Sequence, residues 1–467
     1  MKLTKLRLQN YRCFDALEIE FHEKLTVLIA PNGGGKTTLL DAARVALWPF
    51  VKGFDLGSQT GKAATIQIDD VRLALFNHGN MEAQTPSVVE AWGDWSANEC
   101  NRHWLQQRIS LKKGTNTTGD VAVKAMTSHG KALESQVRSD QQVTLPLVSY
   151  LGTSRLWFEG RFTSAAAETT LDKSEYSRTS GYLNCLSYSS SFKAFTAWYG
   201  WIYRSYREEQ LIALEKKIEL SEKGQRLFQI VEAIKASIDT LIQRTTGWHS
   251  LEYSASYHQQ LVMHHPVNGT LPVDMLSDGL RNAIAMVADL AFRACKLNPH
   301  LGARAPLETP GIALIDEVDM FLHPQWQQAI LGALQESFKE LQFIVTTHSP
   351  QVLSTVKSDC IKVLFKDGQG QWKAQAPDQE ILGMESSIAL NDIMGVNPVP
   401  PVDEAQLIAD YTAAIESGQH ETRDAMEMRE LLLAIYGAEH PVLRDADRLI
   451  RFQSFKLRQS SSAEGRD

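Results

Sequence analysis

The chain opens on alternating positions. Leu3, Leu6 and Leu8, then Leu17, Ile19 and Phe21, stand among polar residues at strand-like spacing and predict two strands with one buried face. Leu25 to Ala30 is an unbroken apolar run, as a strand covered on both faces requires. A glycine-rich loop and an apolar helix, LLDAARVAL, follow it. Residues 63–92 hold further strand-like pieces (ATIQI, VRLALF, SVVEAW), and Val143 to Leu151 reads as another strand. Residues 110–142 are polar, with Gly, Thr, Ser and scattered Lys, and predict a long loop or a loose hairpin. Residues 161–182 are again polar and rich in Ser and Thr.

From about 190 to 245 the period becomes helical. Phe195, Trp198, Tyr199, Ile202 and Tyr206 share one face, which predicts a core stripe rather than a platform for stacking bases. No heptad pattern persists, so no long coiled-coil arm is encoded. Residues 266–366 return to strand–helix alternation, and the Pro-rich NPVPPVDE leads into a helical tail from about 400. There is no internal repeat. The class is α/β: a head with a mixed sheet, built from 1–157 and 266–372, interrupted by a mostly helical insertion at 158–265 and followed by a small helical tail at 373–467.

Composition narrows the partners more than the fold. With 43% hydrophobic and 22% charged residues the chain is ordinary globular protein, and its 467 residues suffice for a sizeable core. It contains no run of about 18 apolar residues, and the first residues lack the apolar block of a secretion signal, so no membrane span and a cytoplasmic location are expected. Cysteines 13, 100, 185, 295 and 360 are scattered and form no CxxC pair, which fits a reducing compartment and no zinc knuckle. A net charge of −8 argues against a generally basic, DNA-coating protein.

The chemistry sits in four short segments. APNGGGKTT, residues 30–38, follows a buried strand and opens a helix, as a phosphate-binding loop should. Gly33, Gly34 and Gly35 let successive backbone N–H groups turn towards one anion, and Asn32 and Thr38 beside them are further candidate cofactor-binding residues. Lys36 supplies a point charge for the β and γ phosphates of ATP, and Thr37 a hydroxyl for Mg2+. Ala30 stands where the usual pattern has its first glycine, which a backbone at negative φ tolerates. GIALIDEVD, 311–319, is a buried strand ending in two acids: Asp316 to hold Mg2+ and Glu317 to orient or deprotonate the attacking water. LSDGLRNAIAMVADL, 276–290, places Ser277 as a helix cap and Gly279 where a backbone can approach phosphate, and resembles the ABC signature. QFIVTTHSP, 342–350, ends in His348, at the position of the ABC switch histidine.

These segments occur in the order found in ABC ATPases, and the chain resembles the heads of the SMC, RecF and OLD group. That resemblance implies a homodimer or higher homo-oligomer in which Ser277 and Gly279 of one copy close over ATP held by Lys36 of another. It also implies that Arg12, in NYRCF, reaches the nucleotide, and that His323 occupies the place of an aspartate in the loop after the acids. LPLVSYLGTSRL, SSSFKAFTAWY, EVDMFLHPQWQ and AEHPVLRDADRLIRFQ further resemble the PtuA-type ATPases of Septu and retron anti-phage systems. This implies an ATPase that controls a partner HNH nuclease, PtuB-like, and, where the system is a retron, works with a reverse transcriptase and its RNA and DNA. Nucleic acid would then be met indirectly. Two alternatives stay open: a non-hydrolysing, ATP-gated scaffold, and a RecF- or SMC-like repair head that binds DNA itself. An internal nuclease is not expected. Asp445 and Asp447 fall in a helical, Arg-rich stretch, Glu215-Lys216-Lys217 lacks an upstream aspartate, and His264-His265 lacks companions at ligand spacing.

Overall fold

The computed structural model describes residues 1–58, 63–75, 79–96, 101–113, 117–156, 177–188 and 192–464. They divide into two compact units, Met1–Met394 and Gly395–Asp467.

The first unit is organised by two sheets. Strands β1 (Lys2–Tyr11) and β2 (Phe14–Glu20) pair antiparallel, and with β6 (Ser87–Asp94), β7 (Arg102–Arg108) and β8 (Thr118–Gly119) form a sheet of order β2-β1-β6-β7-β8. A separate small hairpin joins β4 (Leu73–Leu75) to β5 (Met81–Ala83), so VRLALF and SVVEAW hold strands while ATIQI does not. The second sheet is mixed, of order β16-β15-β3-β14-β13-β9. Its central strands β3 (Leu25–Ile29), β13 (Gly311–Ile315) and β14 (Leu341–Thr346), and β9 (Leu147–Leu151), are buried at every residue, which is why each reads as a continuous apolar run. β15 (Ile361–Lys366) continues the parallel register beside β3, and β16 (Trp372–Gln375) closes the edge antiparallel. Buried Gln342 ties the sheets together: Leu3 N–H donates to its Oε1 at 2.8 Å, and its Nε2 donates to the Leu3 carbonyl at 2.7 Å.

Helix α1 (Lys36–Val51) fills the space between the sheets and is buried along nearly its whole length. Against it lies α2 (Val121–Ser139), capped by Asp120, whose carboxylate accepts from Val123 N–H. The long loop or hairpin expected over 110–142 is therefore corrected to a short strand and a five-turn helix. Glycine at the helix centre weakens the sequence pattern, yet the packing requires it: a Cβ on Gly130 would meet the Phe50 carbonyl oxygen at 2.7 Å.

Helices α3 (Phe192–Lys216) and α4 (Glu222–Thr246) follow. The aromatic stripe is core, as expected: Phe195 and Tyr199 are fully buried, and Trp198 meets Phe292 at 4.8 Å between ring centres. Beyond α4 the chain makes a three-stranded antiparallel sheet, β10 (His249–Ser254), β11 (Gln260–His265) and β12 (Gly269–Pro272). The boundary drawn at 265/266 lies within the β11–β12 hairpin, and the one at 372/373 within β16. Helix α5 (Asp278–Leu297) then packs into the core, and α6 (Ile330–Ser337) links β13 to β14.

The second unit is a three-helix assembly, α7 (Asp403–Glu416), α8 (Arg423–Tyr436) and α9 (Pro441–Glu464), around Tyr411, Ile415, Leu432 and Leu443. Asp445 and Asp447 lie on α9, and Asp447 pairs with Arg429 at 2.8 Å. Among the described residues no helix is long and apolar enough to cross a membrane.

Candidate functional site

Strand β3 delivers the chain into the loop 30–35. Gly33 (φ 78°) and Gly35 (φ 85°) occupy the left-handed region, and a Cβ on Gly35 would also strike the Phe14 ring at 2.3 Å. Ala30 lies outside that region, so its methyl costs nothing, and its carbonyl accepts from Lys36 Nζ at 2.8 Å. Lys36 is buried, and that burial draws its pKa down against the raising pull of Asp316, Glu317 and Asp319.

Asp316 directly follows strand β13, and its Oδ2 accepts from Thr37 Oγ1 at 2.9 Å. Glu317 follows with φ 47°, a left-handed conformation rare for a residue with a Cβ. Strand β14, beside β13, carries His348 to the same end of the sheet. Burial, then the Lys36 charge, lower the His348 pKa against the raising pull of Glu317, Asp319 and Asp316. A cleft of about 320 Å³ thus gathers Arg12, Asn32, Gly33, Gly34, Gly35, Lys36, Thr37, Thr38, Asp316, Glu317 and His348. Sheet order explains the assembly, since β3, β14 and β13 are neighbours and their C-terminal ends share one edge.

Ser277 and Gly279 do not line this cleft. Ser277 is exposed and caps α5, accepting from Leu280 N–H at 3.5 Å. Gly279 lies against the loop after Glu317, where a Cβ would meet the Phe321 carbonyl at 2.4 Å. His323, also outside the cleft, caps the short helix Pro324–Gln327.

A family model described as an AAA domain matches residues 5–246. The chain belongs to the AAA domain family. This AAA-domain chain is 25% identical over 490 aligned residues to the "Retron Ec83 probable ATPase" of Escherichia coli, with 95% of this chain and 85% of that one covered. It is 27% identical to the "Retron Vc95 probable ATPase" of Vibrio cholerae serotype O1 biovar El Tor, covering 92% of this chain and 86% of the relative. The Septu protein PtuA of Bacillus thuringiensis is 24% identical, with 90% of each chain covered. The likeness to the PtuA and retron ATPases runs along most of the AAA-domain chain, well beyond its phosphate loop.

Several residues around the cleft escaped the sequence reading. Arg12 is clamped by two acids, Nη1 on Asp41 Oδ2 at 2.6 Å and Nε on Asp70 Oδ1 at 2.7 Å. Asp41 also receives Arg44 Nη1 at 2.7 Å and the Tyr188 hydroxyl at 2.9 Å, while the Arg44 guanidinium sits 3.9 Å from the Tyr188 ring centre. These groups border a second cavity of about 690 Å³ that shares Arg12 with the first. The signal available was the Asp41/Arg44 pair inside an otherwise apolar helix.

Two other groups of potential ligands in the AAA-domain chain have protein partners. His264 and His265 sit on β11, bonded to Thr270 Oγ1 at 2.8 Å and the Thr246 carbonyl at 3.2 Å. His22, Asp359 and Cys360 lie close together at the far end of the sheet. There His22 Nδ1 accepts from the N–H groups of Lys24 and Leu25, which puts the proton of a neutral ring on Nε2.

Proposed function

We propose that this chain is an ATPase of an anti-phage defence system, binding and hydrolysing ATP in a site completed by a second copy and thereby controlling a partner HNH nuclease. The observation that carries it is the cleft itself. Phosphate-cradling N–H groups, a buried lysine, two acids and a histidine meet there, while Ser277 is exposed and Gly279 buried outside the cleft of the same protomer. The names of the retron and Septu relatives support the defence role.

The roles follow from chemistry. N–H groups of residues 33–38 and the α1 N-terminus attract the phosphates, and a bound anion would offset the burial that draws the Lys36 pKa down. Thr37 Oγ1 and Asp316 Oδ2, 2.9 Å apart beside the phosphate loop, are hard oxygen donors that suit Mg2+, a cation taking few protein ligands. Bound there, Mg2+ would neutralise phosphate charge. Glu317 projects from a strained turn to accept the proton of the attacking water, His348 offers a ring N–H to the γ-phosphate, and Arg12 stays charged between Asp41 and Asp70. Ser277 and Gly279 of the second copy would supply the missing wall.

The purified chain with ATP and Mg2+ is expected to release phosphate yet leave phage DNA, plasmid and total RNA intact. Cutting that copurifies with the chain and disappears on changing Asp445 and Asp447 would overturn the assignment of cleavage to a partner. Absence of turnover in a protein that binds ATP would favour a gated scaffold.

A further inference from the structure

We propose that Thr346 is a positioning residue for the metal-holding acid and the water-activating acid, an inference that rests on the ATPase reading of the cleft. Thr346 closes β14 and is fully buried. It engages three successive residues of the turn after β13. Its Oγ1 donates to Asp316 Oδ1 at 2.6 Å and accepts from Glu317 N–H at 2.7 Å, and its carbonyl accepts from Val318 N–H at 3.0 Å.

The direction of each bond is forced. A carboxylate only accepts and an amide N–H only donates, so the single hydroxyl proton must go to Asp316 and a lone pair must receive Glu317 N–H. Asp316 Oδ1 is thereby occupied by Thr346, which leaves Oδ2, paired with Thr37, as the oxygen that would hold a cation. The same hydroxyl holds Glu317 at φ 47°, a backbone state that persists only where its surroundings over-determine it. One atom therefore sets which oxygen of the first acid is presented and where the second acid projects. His348 is two residues further along the same chain, so the end of β14 places three of the cleft's groups at once.

The test compares Thr346→Val, which keeps the branched shape without the hydroxyl, with Thr346→Ser, which keeps the hydroxyl. Mn2+ affinity is read by electron paramagnetic resonance in the presence of a non-hydrolysable ATP analogue, beside the Mg2+ dependence of turnover. The valine variant is expected to bind Mn2+ about 10- to 100-fold more weakly, the usual effect of losing a group that orients a metal ligand. Its metal-free affinity for the analogue should match wild type, and the serine variant should recover metal affinity. Equal Mn2+ affinity in wild type and Thr346→Val overturns the proposal. So does loss of fold in both Thr346→Val and Thr346→Ala, which would make the hydroxyl a requirement of the fold. The Mn2+ titration involves no hydrolysis, so a wild-type chain without turnover would refute the ATPase reading and leave this comparison decisive.

Discussion

Glu317 carries the sharpest chemical assignment and the most unusual backbone at the cleft, with φ 47°. Glu317→Gln keeps the size and the turn but removes the base, so ATP should still bind while hydrolysis slows by about 10²-fold or more. Calorimetry and phosphate release check the two halves separately; wild-type turnover in this variant would make Glu317 a structural acid. At this scale legibility followed contiguity along the chain. Lys36, Thr37, Asp316 and His348 each sit in a short segment whose pattern is readable by itself, and the sheet brings those segments together. Thr346 and Asp70 bear no such local mark, because their importance lies in bonds to residues 30 and 58 positions away in sequence.

Elements were legible where burial imposes a simple period. The runs at β3, β13 and β14 and the stripe on α3 all lie where their patterns pointed. Helix α2 was hidden by Gly130, and the sheet β10–β12 by short strands that interrupt a helical stretch. Because a Cβ at Gly130 meets the backbone of Phe50 rather than a flexible side chain, Gly130→Ala should destabilise the fold by about 1–3 kcal/mol despite its gain in helix propensity. Denaturant unfolding checks this, and a more stable variant would show that α1 and α2 separate easily. His129, on the same helix, packs against Trp95 at 5.5 Å between ring centres, and burial lowers its pKa. As pH falls through about 6.5 the unfolded chain takes up a proton there that the folded chain refuses, so stability is lost on acidification. The melting temperature should therefore drop between pH 7.5 and 5.5, and His129→Asn should flatten that drop. An unchanged slope would assign the acid sensitivity to other groups.

At the scale of the whole molecule, the cleft and the exposed Ser277 are separate features of one protomer. On the proposed reading, a closed site would need two copies, each donating to the other what it cannot use itself. That arrangement gives a switch its energetic basis. Swinging a population from 1:99 to 99:1 takes about 5.5 kcal/mol of differential affinity, and γ-phosphate contacts made only in the proposed closed pair would be a source of it. The most direct measurement is ATP turnover in mixtures of two inactive variants, Lys36→Ala and Ser277→Arg. Each alone should be silent, the first lacking the phosphate charge and the second blocking the wall it offers its neighbour. Mixed, they should recover part of the wild-type rate, because one intact site can form between a Ser277→Arg protomer that binds ATP and a Lys36→Ala protomer that covers it. No recovery in mixtures shown to contain the mixed pair, or full wild-type turnover in a protein proven monomeric, would contradict the composite site.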